Sequence, residues 1–358
     1  MSNNILDNLA EIKKLDSQNM LGSLQSLGKQ IEQINKQAAD LKVPASYKKV
    51  QNIVVLGMGG STLGADVIRS VFFNELKVPV IIVNVYHVPN FVDKNSLVIV
   101  SSYSGSTEEP IAAMDEAEKR KAKLMIISSG GTLAKLAKSK KIPALIFTTE
   151  NNPCGSPRMG LGYSIAGQRA LLVKAGLLTL PTSAAKEAME TIDAYGHMFG
   201  VSNPTNNNPA KQLAVSTQEK SVWYAGSEHL SGNVHIGANQ MNENAKRFAG
   251  FFLVPELNHH LMEGMMKPES NKKDLLFILI ESSFYDKRIQ KRFEITKGIL
   301  DKSGIQHASY VCQGKTKLLQ TIEVLLLTSY VSYYSALLAG IDPTAIPFVD
   351  FFKEQLKK

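Results

Sequence analysis

Val54 to Phe72 reads VVLGMGGSTLGADVIRSVF. An aliphatic run leads into a turn of small residues, Gly57-Met58-Gly59-Gly60-Ser61, and apolar residues then return at helical spacing. Strand, glycine turn and helix in that order make one βα unit. Glycines let the backbone approach an anion closely, and the helix N-terminus adds partial positive charge. Two nucleotide-binding patterns fail at named positions. A G-x-G-x-x-G fingerprint needs a glycine where Thr62 stands, and a P-loop counted from Gly59 and Gly64 needs Lys and Ser/Thr where Ala65 and Asp66 stand. Taken alone, the turn fits a plain tight connection equally well.

The pattern around it sets the fold class. Apolar runs at Asn52–Leu56, Val80–Val85, Leu97–Ser101, Leu124–Ser128 and Ala144–Phe147 read as strands. Helical periodicity at Leu63–Phe73, Glu108–Lys121 and Leu133–Ser139 separates most of them. After a helix over Leu161–Ala175, the stretch Leu180–Asn208 reads as helix plus linker, and the alternation restarts. Strands are expected at Ser221–Tyr224, Phe251–Val254, Leu275–Glu281 and Ala308–Val311. Helices are expected at His235–Arg247, Lys287–Lys302 and Leu318–Ala339. Val/Ile-rich strands alternating with helices predict α/β architecture, with doubly wound parallel sheets covered on both faces. Residues 1–40 read as helical. The expected organisation is a helical segment at 1–44, a first α/β domain at 45–180, a linker at 181–210 and a second α/β domain at 211–358 with a C-terminal helix.

A second turn carries more chemistry. Residues 101–109 read SSYSGSTEE, again after an apolar strand and before a helix. Ser102, Ser104, Ser106 and Thr107 place hydroxyls around one bend, with Gly105 allowing it. A cup of hydroxyls at a helix N-terminus suits a phosphomonoester, whereas N-capping needs only one hydroxyl. A third turn, Ser128-Ser129-Gly130-Gly131-Thr132, is either a wall of the same cleft or a simple loop.

Composition narrows the partners. The chain has 358 residues, is 44% hydrophobic and 20% charged, and carries a formal charge of +8. Its basic residues are scattered, which argues for an acidic small molecule over a nucleic-acid tract. Two distant cysteines, Cys154 and Cys312, give neither a disulfide framework nor a zinc ribbon and fit a cytoplasmic location. No signal-peptide pattern opens the chain. The apolar stretch Leu318–Gly340 contains Gln320 and Glu323, so it reads as a buried helix, and no membrane partner is expected.

The glycine turn and SYSGSTEE together resemble a sugar isomerase (SIS) domain. Asn242-Glu243-Asn244-Ala245-Lys246, Pro255-Glu256-Leu257-Asn258-His259 and Pro157-Arg158 with Leu161-Gly162-Tyr163 resemble the bifunctional phosphoglucose/phosphomannose isomerases. The resemblance runs from about residue 45 to the C-terminus and implies two tandem SIS domains. It implies reversible isomerisation of glucose 6-phosphate, and of mannose 6-phosphate, to fructose 6-phosphate through a cis-enediolate. Gly59, Gly60, Ser61, Ser102, Ser104 and Thr107 then bind substrate. Glu243 is the implied base, Arg158 stabilises the enediolate, and His259 opens the ring from a partner subunit, which implies a homodimer. Lys353 is implied to return to the active site. No cofactor and no metal are expected. The chain departs from the family at His260, where Asn is usual, and at Ser106, where Asn is frequent. The alternative is a non-catalytic SIS regulator that binds a phosphosugar. It would keep the hydroxyl cup without needing Glu243. An ammonia-using transferase would need a glutaminase domain, for which the roughly 50 residues before the first strand are too few.

Overall fold

The computed structural model of the protein describes residues 5–181, 183–356 and 358. The chain forms two compact units. One is Gln25–Met189; the other comprises the described parts of Met1–Leu24 together with Glu190–Lys358.

The first unit is built on five parallel strands, β1 (Asn52–Leu56), β2 (Val80–Val83), β3 (Ser96–Ser102), β4 (Lys123–Ser128) and β5 (Ala144–Ile146), in the order β2-β1-β3-β4-β5. Every residue of β3 is buried, as is Ile53–Leu56 of β1, which is why these strands read as unbroken apolar runs. Leu56 pairs with Val83 on one side and Val100 on the other, and Ser102 pairs with Ser128. The chain leaves β1 for β2 on one side, while β3 lies on the other. Strand order therefore reverses between β1 and β3, the place where open parallel sheets bind ligands. Helix Leu161–Lys174 packs on helices Gly60–Val71 and Leu27–Ala39. A Cβ on Gly162 would lie 2.7 Å from Cβ of Gln30, so the chains approach too closely there for a larger residue. Gln30 is fully buried, and its Nε2 donates to the carbonyls of Asn151 and Met159 at 3.0 Å each. Its Oε1 accepts from the Gly162 amide at 3.0 Å, which fixes where helix Leu161–Lys174 begins.

The second unit holds four parallel strands, β6 (Ser221–Gly226), β7 (Ala249–Leu253), β8 (Leu275–Glu281) and β9 (Gln306–Val311), in the order β7-β6-β8-β9. Strand order again reverses beside the first strand of the sheet. Helix Lys317–Leu338 is buried continuously from Gln320 to Leu337. It is long and apolar enough to cross a membrane, but 94% of its apolar window is covered by protein, as expected of a core helix. Its one acidic residue, Glu323, is satisfied in place. It accepts from the Tyr310 hydroxyl at 2.7 Å and from the amides of Gln313 and Gly314.

One stretch differs from its reading. The helical stretch at the N-terminus is interrupted. Helices Leu9–Leu15 and Met20–Gln25 are separated by a turn in which Asn19 has φ 59°. Asp16 makes that turn, accepting from the amides of Met20 (2.7 Å) and Leu21 (2.8 Å). The stretch Leu180–Asn208, read as helix plus linker, holds helix Ala184–Phe199, with Ala184, Ala188, Ile192, Tyr195 and Phe199 buried along one stripe. A second helix, Pro209–Ser216, follows it, started by the Asn208 side chain.

Candidate functional site

Three turns stand at the carboxyl ends of β1, β3 and β4, and each opens a helix. The glycine turn comes first. Gly59 has φ +49°, a conformation that side chains rarely adopt, and a Cβ on Gly57 would sit 2.5 Å from the Ser101 carbonyl. The turn therefore lies directly against the end of β3. Asn84 secures its other side, donating to the Gly57 carbonyl at 2.7 Å and to Thr62 Oγ1 at 3.0 Å.

The hydroxyl turn is tied to it. The Tyr103 amide donates to Ser61 Oγ at 3.1 Å, and Ser101 Oγ donates to the Ser61 carbonyl at 2.8 Å. Ser102 is 2% exposed, and its hydroxyl is engaged inside the turn with Thr107 Oγ1 (2.8 Å) and the Gly105 amide (3.1 Å). Ser104 and Ser106 are exposed, and the Ser106 amide donates to Ser104 Oγ at 3.3 Å. The four hydroxyls thus divide: Ser102 and Thr107 shape the bend, and Ser104 and Ser106 face outward.

The third turn is a brace for the second. Ser129 donates to the Tyr103 carbonyl through both its amide (3.0 Å) and its hydroxyl (2.6 Å), and the Leu133 amide donates to the Gly105 carbonyl at 2.9 Å. Gly105 has φ +72°, and a Cβ there would fall 1.9 Å from the Gly130 carbonyl.

None of the helices that open here, Gly60–Val71, Glu108–Lys119 and Gly131–Lys140, has a side-chain cap. Elsewhere in the chain Asn8, Asn208, Asp286 and Thr316 do cap helices with their side chains. The hydroxyls after β3 are therefore not spent on capping. The arrangement suits an anion, which would take donors from the turns and favourable potential from the helix ends.

Arg158 lies in the same compact unit, in a single 3₁₀ turn, Pro157–Met159, and is 3% exposed. That turn presses on the other two. A Cβ on Gly60 would be 3.2 Å from the Pro157 carbonyl and 3.4 Å from Cα of Arg158, and a Cβ on Gly160 would be 2.5 Å from the Tyr103 ring. Tyr103 packs edge-on to Phe147 at 5.6 Å, and its hydroxyl accepts from Asn152 at 2.8 Å. Burial raises the pKa of this phenol, so it stays neutral. Gly59, Gly60, Ser61, Ser102, Ser104, Thr107 and Arg158 are thus brought together. Tyr103, which helps hold them, was not singled out from sequence, and Ser129 was read only as part of a turn that was either a wall of the cleft or a simple loop. An aromatic residue inside a turn of small residues was the available signal.

Glu243, His259 and Lys353 belong to the other unit. Glu243 is half-buried near the C-terminal end of helix Ser231–Asn244, just before β7 begins. His259 is exposed on the short helix Leu257–His260, just after β7 ends. The five-residue strand β7, about 17 Å long, lies between the two in the chain, so Glu243 precedes its start and His259 follows its end. Asn258 is anchored, donating to Thr296 Oγ1 at 2.9 Å, and the neighbouring His260 ring lies 6.0 Å from Phe252. Lys353 is exposed on helix Pro347–Gln355, beside the exposed Phe348, Phe351 and Phe352.

The carboxyl end of the second sheet is built differently. His229, after β6, is 2% exposed and bonds Gln320 Oε1 at 3.0 Å. Ser282, after β8, donates to the same oxygen at 2.5 Å. Burial pushes the His229 imidazole down to about 4. Side chains fill this end, whereas the first sheet presents open turns.

The chain is similar to known proteins. A model of the bacterial phospho-glucose isomerase C-terminal SIS domain matches residues 206–356, and a model of the SIS domain matches residues 46–146. A bifunctional phosphoglucose/phosphomannose isomerase of Caldicellulosiruptor bescii is 29% identical, over 94% of this chain and 98% of its own length. One from Thermoplasma volcanium is 28% identical, over 86% of this chain and 92% of its own. In fold, the chain is similar to a hypothetical protein of Thermus thermophilus, with a TM-score of 0.73 at 16% identity, covering 97% of this chain and 93% of that one.

Proposed function

The chain belongs to the tandem-SIS family of bifunctional phosphoglucose/phosphomannose isomerases, and from that membership we propose that it interconverts glucose 6-phosphate and mannose 6-phosphate with fructose 6-phosphate. The observation that carries this reading is the set of uncapped helix ends and outward hydroxyls at the switch point of the first sheet. A phosphomonoester is the group such a cup serves best.

Glucose and mannose phosphates differ only at C2 and give the same enediol once that proton is lost. Glu243 removes the proton and returns it at C1, so one carboxylate serves both epimers. Negative charge then builds on two neighbouring oxygens. A guanidinium held in one place stabilises it without reorganising, which is the role proposed for Arg158, 3% exposed in its turn. His259 opens the pyranose ring, assisted by Lys353. The opposite placement of Glu243 and His259 along β7 supports a homodimer in which each subunit lends its histidine to the other. Two buried free thiols, Cys154 and Cys312, accord with a cytoplasmic enzyme of glycolysis and gluconeogenesis.

A coupled assay from each aldose phosphate tests the reading. Wild-type protein should turn over both, and Glu243→Gln should lose about a thousandfold in kcat with little change in KM. A fully active Glu243→Gln variant removes the assigned base. Wild-type protein that binds fructose 6-phosphate without turnover is a sensor, not an isomerase.

A further inference from the structure

The structure assigns Gln168 as the positioning residue of the phosphate cup: its buried amide locks the glycine turn to the hydroxyl turn from behind. This rests on the phosphosugar reading above and goes beyond it, to a residue outside every turn. Gln168 lies in helix Leu161–Lys174, is 1% exposed and has no route to a substrate of its own. Its Nε2 donates to the Ser61 carbonyl at 2.8 Å and to Ser164 Oγ at 3.1 Å, and reaches Ser101 Oγ at 3.5 Å. Ser101 Oγ and Ser164 Oγ donate to that same carbonyl, at 2.8 and 3.2 Å. Three side chains from two elements thus converge on one backbone oxygen in the first turn of helix Gly60–Val71.

Convergence there has a consequence for ligand binding. Ser61 is the residue whose hydroxyl receives the Tyr103 amide, so the position of its backbone sets the spacing between the two turns. The glycines beside it, Gly57, Gly59 and Gly60, supply no side chain to hold the loop. A turn chosen for close backbone approach is inherently loose, because glycine leaves more conformational freedom than any other residue. Gln168 removes that freedom before the anion arrives. Binding then needs less ordering, and affinity rises without a new contact to the ligand.

The test compares Gln168→Met, which keeps the volume and removes the donor, with Leu171→Val, which loses core packing on the same helix but no hydrogen bond. Two quantities are read: the Kd of inorganic phosphate by calorimetry, and KM and kcat for fructose 6-phosphate. Gln168→Met should weaken phosphate and raise KM, each about five- to tenfold, with kcat within about twofold of wild type. Leu171→Val should lower the melting temperature and leave both constants unchanged. Equal affinities in Gln168→Met and wild type overturn the assignment, as does an equal loss in Leu171→Val. Gln168→Glu gives a second arm if the Met variant fails to fold. A buried carboxyl donates only when protonated, so phosphate affinity relative to wild type should recover as pH falls. A flat ratio refutes the positioning role. Should wild-type protein bind phosphate yet isomerise nothing, the isomerase reading fails while the phosphate arm still judges Gln168.

Discussion

At the scale of single residues, the chain places polar groups where their neighbours, not water, decide their state. His229 shows how strongly. Its ring meets Gln320 Oε1 and the edge of Tyr285, with Lys317 the charge that acts on it, and burial holds it neutral with a pKa of about 4. In the unfolded chain the same group titrates near 6.5. The folded value is the lower one, so this contribution to stability is fully present above about 6.5 and is lost as pH falls toward 4. Between pH 7 and 5 the loss comes to about 2 kcal/mol. Urea unfolding at the two pH values should show that decline for wild type, and His229→Gln should remove most of it. Equal declines in the two proteins would mean that the imidazole is already charged in the fold. Nothing in the residue pattern marked this role. His229 was one of several histidines near Glu243, and its partners Tyr285 and Gln320 lie 56 and 91 residues away in the chain.

At the scale of elements, the strands were plain in sequence and the contacts between turns were not. Asn52–Leu56 and Leu275–Glu281 stand where their apolar runs placed them, because a strand buried on both faces has no polar face to confuse its limits. Helix starts shifted. Helix Gly60–Val71 begins three residues before Leu63, since the end of β1 and the close approach to Ser101 fix its first turn, and the apolar period appears only later. Helices Pro209–Ser216 and Leu257–His260 escaped because they are too short to display a period. The hydroxyl turn was legible as a cluster, but the division of labour within it was not, because the brace Ser128–Gly131 comes from the next βα unit. That brace can be broken by one atom. Gly105→Ala places a Cβ 1.9 Å from the Gly130 carbonyl at φ +72°. The two turns must part, at a cost of about 3 kcal/mol or more, and the KM for fructose 6-phosphate should rise well beyond the effect of Gln168→Met. Gly264→Ala, where a Cβ meets nothing within 4 Å, is the matching control and should leave both stability and KM unchanged. An active, stable Gly105→Ala protein would show that the turns do not need each other.

At the scale of the whole molecule, two sheets of like strand order have diverged in what their carboxyl ends hold. The first keeps open turns around β1 and β3, while the second is filled by His229, Gln320 and Ser282. The second unit instead offers residues at the two ends of β7, an edge strand. Glu243 precedes this strand and His259 follows it, which is the placement from which a shared reaction centre is proposed above. In the homodimer proposed above, the glutamate of one subunit would meet the histidine of the other. Complementation tests it directly. Glu243→Gln and His259→Ala are each expected to be nearly inactive alone. Mixed under conditions that exchange subunits, half the dimers become hybrids, and each hybrid holds one centre with both native residues. Recovered activity should approach about a quarter of wild type, the ceiling that random twofold pairing allows. Two affinity tags report whether hybrids form. Hybrids that form and stay inactive place both residues at one chain's own centre, and a protein that remains monomeric throughout rules out a shared centre.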